Sequence, residues 1–265
     1  MGVLETYGIM ALIVLGFMTI LWIVSLILRN SSIVDIFWGA GFVLVNWVGF
    51  AITPAGFLPR KVLLAIIVTI WGLRLTLYIL SRNLGKPEDF RYQKWRQAAP
   101  ERWWWKSYFQ VFLLQGALMW FISAPLTAVH LSATPARLTV LDFLGAALWA
   151  IGFFFEATGD FQLARFRANP ANKGKLLNQG VWRYTRHPNY FGDATEWWGF
   201  YLIAVATGLG AVTILSPVVM TILLVRVSGV GLLEKTLKDT KPGYKEYMET
   251  TSAFIPWIPR TRGGK

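Results

Sequence analysis

The stretch RYTRHPNYFGDATEWWGF, residues 183–200, opens as a basic loop and closes as an apolar helix. Proline at position 188 suits the first turn of a helix, because the N–H it lacks has no intrahelical partner there. A helix is therefore expected to begin near Pro188, with its free N–H groups and the positive end of its dipole at the loop. Such an end attracts anions, phosphates above all. Arg183, Arg186 and His187 stand just before it. Asn189 carries a donor and an acceptor on one side chain, enough to read a carboxamide edge. Asp193 and Glu196 are three residues apart and share a helix face, from which they could accept from ribose hydroxyls or amide N–H groups.

The surrounding composition is that of a membrane protein. Of 265 residues, 55% are hydrophobic and 15% charged, where a soluble domain carries about 25% charged residues, and the mean hydropathy is +0.46. The chain has no cysteine, which excludes disulfides, thiolate nucleophiles and cysteine-ligated metals. His130 and His187 are its two histidines, too few for a multi-histidine iron site, and no metal centre is expected. No phosphate-binding GxxxxGK[ST] loop occurs. An enzyme built from these residues would take its redox power or transferred group from a bound organic cofactor.

A crossing needs roughly 20 mostly apolar residues. Seven windows qualify, at about 7–28, 33–53, 61–81, 107–129, 139–161, 189–208 and 211–233, so the expected fold is an all-α integral membrane protein with seven transmembrane helices. The first window is too long, and too poorly flanked, for a cleaved signal peptide. Cytosolic loops collect Lys and Arg. An N-terminus outside and a C-terminus in the cytosol place the basic segments 82–106 and 165–186 and the tail from Lys235 inside, and leave Arg60, Lys61 and Arg137 outside. Arg60 and Lys61 are a local conflict with that rule. Trp103, Trp104 and Trp105 suit an interfacial aromatic belt. Residues 1–265 form one polytopic domain, with 1–130 expected to be mainly substrate-side helices and 131–265 mainly cofactor-side helices and loops.

Ionisable residues inside a bilayer are costly and mark function. Asp35, Arg74, Glu156, Asp160, Glu196 and Arg226 fall in or at the edges of the windows. Glu156 and Asp160 are four apart and share a face, as do Arg74 and Tyr78. Asp35 at the end of its window could be a cap, and Arg226 beside Glu234 could be structural. Pairing as structural glue explains any one of these residues but not their concentration; all are expected to converge at the cytosolic end. Arg183, Arg186 and His187, with Arg165 and Arg167 at the end of the facing helix and Lys173 and Lys175 in the loop, outline a phosphate cradle at the start of the helix at Pro188.

These residues resemble a known family. GVWRYTRHPNYFGDATEWWGF (180–200) is similar to the signature of the steroid 5α-reductase-like membrane reductases, the 3-oxo-5α-steroid 4-dehydrogenases. VDIFWGAGF (34–42), LRLTLYILSRNLGKPEDFRY (73–92), GFFFEATGDFQLARFRANPANKGKLLNQG (152–180) and SGVGLLEKTLKDTKPGYKEYMETTSAFIPW (228–257) resemble segments of its bacterial branch. RHPxY alone also occurs in isoprenylcysteine carboxyl methyltransferases and sterol C14- and C7-reductases. The resemblance implies NADPH held between cytosolic loops and the bundle, and reduction of a C=C bond conjugated to a ketone. It carries cofactor contacts onto Arg74, Tyr78, Asp160, Arg167, Asn189, Tyr190 and Asp193, with Glu156 one turn before Asp160. Lys175, Arg186, His187 and Glu196 join them from the reading of the loop. At the substrate end the family's glutamate on the second span has no counterpart except Asp35, and Trp71 stands where its tyrosine would be.

Asp35 is the expected proton donor, with Trp71 shaping the pocket and Tyr78 nearby. A steroid-like substrate is expected to enter from lipid among Trp22, Trp38 and Trp47. The rival enzymatic reading is an S-adenosylmethionine-dependent methyltransferase, whose cofactor needs fewer cations. The non-enzymatic rival is a sterol- or lipid-binding membrane protein. A monomer in contact with membrane lipids and with no nucleic-acid partner is expected, in the inner membrane of a bacterium or the endoplasmic reticulum of a eukaryote.

Overall fold

A computed structural model describes residues 2–227 and 230–260. Ser228 and Gly229, which open the last resembling segment, and the tail cations Arg262 and Lys265 lie outside the described residues. Among the described residues the chain is helical, with one isolated bridge between Thr185 and Ser252. Contacts divide it into two compact units, residues 2–142 with 203–216, and residues 143–202 with the described residues from 217 onward.

The first unit contains α1 (Val3–Leu28), α2 (Ile33–Ile36), α3 (Trp38–Ile52), α4 (Leu58–Asn83), α5 (Phe90–Ala98), α6 (Trp103–Ser107), α7 (Leu114–Ile122) and α8 (Ala124–Leu131). A π-helical stretch, Tyr108–Leu113, joins α6 to α7. The chain bends by 43° where α7 meets α8, next to Pro125, whose ring and missing N–H interrupt a helix. Helix α3 lies along α4, and at their crossing Gly39 and Gly72 bring backbone against backbone. Small residues permit such close approach in a bilayer, where dispersion contacts, not water, drive helix association.

The second unit holds most of α9 (Val140–Ala168), α10 (Pro188–Val205) and α11 (Leu215–Ile222), with α12 (Val230–Thr240) and α13 (Tyr244–Thr250). Glycines spaced seven apart set the α9–α10 packing. A side chain on Gly199 would strike the carbonyl oxygen of Gly145, one on Gly192 the backbone of Gly152 and Glu156, and one on Gly159 the ring of Pro188. The pairs run in opposite directions along the chain, so the helices are antiparallel. Replacing Gly192 by leucine is expected to force them apart and cost about 1–3 kcal/mol or more, read as a lowered thermal midpoint in detergent.

Among the described residues, four helical segments are long and apolar enough to cross a membrane: Val3–Leu28, Leu58–Asn83, Val140–Ala168 and Gly210–Val227. A fifth is added if the bent pair Pro100–Ile122 and Ala124–Leu131 is one crossing. The window expected at 33–53 is broken: Asp35 sits on the four-residue α2, and the helix that follows has 15 residues. The window at 189–208 is α10, whose 18 residues include Asp193 and Glu196.

The first unit also buries polar residues that lie outside the set expected to converge. At the end where α3 stops and α4 starts, Arg60 and Asp142 are fully buried, with Arg60 Nε donating to Asp142 Oδ1 at 2.6 Å and Nη2 to Oδ2 at 3.0 Å. Arg60 also donates to the carbonyls of Pro135 and Arg137. Lys61 is buried too, its ammonium on the carbonyls of Phe50 and Thr53 at the end of α3, a position the helix dipole favours. His130 Nε2 meets Asn46 Oδ1 at 2.9 Å. Arg60 and Lys61 are therefore internal cross-links and not loop charges, which removes their conflict with the charge rule.

Candidate functional site

In the second unit, the glycine contacts press the polar face of α9 against the start of α10. The helix begins at Pro188, as its sequence dictates. Asn189 Nδ2 donates to Asp160 Oδ1 at 3.1 Å. Asn189 Oδ1 is buried and accepts no hydrogen bond. Glu156, Asp160, Asp193 and Glu196 are all buried. Their spacing places Glu156 one turn from Asp160 on α9, and Asp193 and Glu196 successively deeper along α10. A buried amide oxygen without a donor is costly, and a ligand N–H would satisfy it. The donor set is thus two carboxylate-bearing helix faces and a half-satisfied carboxamide, which fits the amide and hydroxyl groups of a nicotinamide nucleotide. Arg167 and Lys175 are exposed beside this region and could meet phosphates.

Arg186 and His187 are placed differently from expectation. Both are buried, and both engage Glu234 on α12: Arg186 Nε donates to Oε1 at 2.8 Å, and His187 Nε2 lies 3.2 Å from the same oxygen. Arg186 also donates to the carbonyls of Met248 and Thr251. Around them Arg186 N bonds Ser252 O, Trp257 N bonds Tyr184 O, and the Tyr247 hydroxyl bonds Trp182 O. Burial alone would raise the Glu234 carboxyl, but hydrogen bonds from His187 and Arg186, and their charges, outweigh it and hold it down at about 2. This clamp seats residues 247–257 on the loop before α10. It also means that Glu234 is engaged by Arg186 and His187, where the sequence suggested Arg226. Tyr190 stacks on the His187 ring, 5.7 Å between centroids.

In the first unit, Arg74 and Tyr78 lie one turn apart on α4, with the Arg82 guanidinium over the Tyr78 ring at 6.0 Å. Asp35 is bound on both oxygens, by Arg91 Nη2 at 2.9 Å and the Tyr92 hydroxyl at 2.8 Å. Gln115 Nε2 donates in turn to the Tyr92 oxygen at 3.2 Å. Arg91, Tyr92 and Gln115 were absent from the sequence reading, although Arg91 and Tyr92 close the quoted segment 73–92. Trp38 packs on Phe42 and Phe42 on the buried Trp71, an aromatic file between α3 and α4. Trp22 and Trp47 have other neighbours: Trp22 donates to Trp104 O and packs on Tyr108, and Trp47 donates to Thr69 Oγ1. The four tryptophans therefore do not share one set of contacts.

Among the described residues, helices long and apolar enough to cross a bilayer define a helical membrane protein. A family profile described as "Protein of unknown function (DUF1295)" matches residues 21–251, and the chain belongs to that steroid 5α-reductase-like membrane family. It is also similar to an uncharacterised protein of Schizosaccharomyces pombe, 24% identical over an alignment of 278 positions, gaps included, that covers 94% of this chain and 78% of the relative. No solved structure matches.

Proposed function

We propose that this protein is an NADPH-dependent reductase of the C=C bond of a Δ4-3-oxo steroid or a similar lipophilic enone, working from a seven-span bundle in which α3 and α10 also cross. The observation that carries the reading is the Asn189 carboxamide, fixed by Asp160 through its nitrogen and left with a buried oxygen that lacks a donor. Family membership supports the same reading. When bound, NADPH supplies the hydride for the β-carbon of the enone. Asn189 and Asp160 would orient the nicotinamide end, Glu156, Asp193 and Glu196 would accept from hydroxyl and amide groups, and Arg167, Lys175 and Tyr190 would complete the second unit's cofactor contacts; the family resemblance adds Arg74 and Tyr78 of the first unit to the cofactor contacts.

The apolar helices keep water away, and the ketone oxygen needs a proton donor as it becomes enolate-like. Asp35 with Tyr92 is that donor pair in this proposal. Arg91 and the Tyr92 hydroxyl hold the two Asp35 oxygens in place. Tyr92 is the hydroxyl that Asp35 and Gln115 hold in place. Trp71, with Trp38, would shape the pocket.

The test is NADPH oxidation by purified protein in detergent, with and without progesterone, beside S-adenosylmethionine in a thermal-shift comparison. Steroid-dependent oxidation with a saturated ketone product is expected. Asn189→Ala should weaken NADPH binding about tenfold. Asp35→Asn should lower kcat about 100-fold or more with cofactor affinity kept; full turnover in that variant removes Asp35 from the mechanism. Stabilisation by S-adenosylmethionine alone would replace the reductase with a methyltransferase.

A further inference from the structure

We infer that the outward face of α9 is a binding groove for an anionic phospholipid, separate from the proposed cofactor site. At 100° per residue, Glu156, Asp160 and Arg167 fall together on one side of α9. Thr158, Phe161, Gln162, Arg165 and Asn169 fall together about half a turn away. This second face begins as a lipid-exposed stripe, with Ile151 51%, Phe154 56% and Phe161 62% exposed. Toward the end of the helix the same stripe turns polar and cationic, at Gln162, Arg165 and Asn169.

A groove is built there. One part, about 550 Å³, runs from Phe161 and Arg165 to Asn172 and Gln179. A second, about 420 Å³, shares Thr158, Gln162 and Gly180 with it and reaches Arg183 and Tyr184. A third continues past Tyr184 to Trp257 and Ile258. Its floor is held by Gln162, whose Oε1 accepts from Val181 N at 3.1 Å. Gly180 sits against that side chain with φ at +61°, a left-handed conformation that glycine adopts without strain. Arg165 and Arg183 stand exposed at the rim.

The order along the groove is that of a lipid lying against a helix. Aromatic side chains face the acyl region, amides the glycerol and ester level, and two arginines the phosphate. Clustered cations next to a membrane-spanning helix attract anionic headgroups, and guanidinium matches phosphate oxygens in a two-pronged contact. The occupant is therefore a bilayer lipid with a net negative headgroup, from the leaflet at which α9 ends. The inference rests on the membrane assignment and not on the reductase reading.

The experiment is native mass spectrometry of the detergent-purified protein titrated with phosphatidylglycerol and with phosphatidylcholine. It is repeated for the Arg165→Gln, Arg183→Gln double variant and for Arg102→Gln, a control that removes an interfacial charge in the other unit. The wild type and the control should retain phosphatidylglycerol about tenfold more tightly than phosphatidylcholine, and the double variant should lose that preference at an unchanged thermal midpoint. A double variant with a lower midpoint is replaced by the single substitutions, each expected to lose part of the preference. Equal retention of both lipids by the wild type, or an intact preference in the folded variants, overturns the proposal. NADPH added to the wild type should leave bound phosphatidylglycerol in place; displacement would assign the groove to the cofactor's phosphates and overturn it as well.

Discussion

Replacing Arg60 with methionine is expected to destabilise the protein by about 3–5 kcal/mol, because it strands a fully buried carboxylate in a low-dielectric interior. The loss should lie toward the lower end of that range. Asp142 keeps two donors from Thr139, its backbone N–H at 2.7 Å and its hydroxyl at 3.0 Å, which together cap the start of α9. Thermal unfolding in detergent should show a fall in Tm on the order of 10 °C. The double variant Arg60→Met, Asp142→Asn should recover most of it, since the pair is replaced by a neutral one while the cap retains an acceptor. A double variant as unstable as the single would mean that Arg60 acts through the Pro135 and Arg137 carbonyls, not through the charge.

The second large effect is expected at the clamp. Arg186→Gln leaves Glu234 short of a partner and frees the carbonyls of Met248 and Thr251, each unsatisfied buried group costing about 1–3 kcal/mol. Hydrogen exchange should show faster exchange of the Thr251 and Trp257 amides, which bond Tyr247 O and Tyr184 O in the intact tail. If Arg186 were instead a phosphate ligand, the substitution would weaken NADPH binding and leave those amides protected. The clamp also carries a pH signature. The Glu234 carboxyl is held at about 2 against an ordinary value of 4.5, so its contribution is fully present above about pH 4.5 and disappears as pH falls toward 2. Glu234→Gln should flatten the stability profile in that window and lower stability above it.

Much of the site was legible in the sequence because it obeys local rules. Pro188 marks a helix start wherever it occurs before an apolar run, and the i,i+4 spacing puts Glu156 beside Asp160 whatever surrounds them. The seven-residue glycine spacings of α9 and α10 were equally local. They lie in plain view at 145, 152 and 159 and at 192 and 199, and a search for close-packing helices would have found them. The partner of Arg186 is of another kind. A basic residue before a helix N-terminus suggests an anion, and the anion turned out to be Glu234, 48 residues away in the chain.

The amino-acid sequence by itself determined the membrane class, most of the helices and the residue set from which the candidate site is made, since hydropathy and helical period act over a few turns. Tertiary structure alone decided which charges are spent on the fold. Arg60 reads as a loop cation until Asp142, 82 positions on, is packed against it. Asp35 reads as a lone acid until Arg91 and Tyr92 close over it. The reason is physical: a buried charge must find a counter-charge or hydrogen-bond partners, and which partner it finds depends on how distant segments pack.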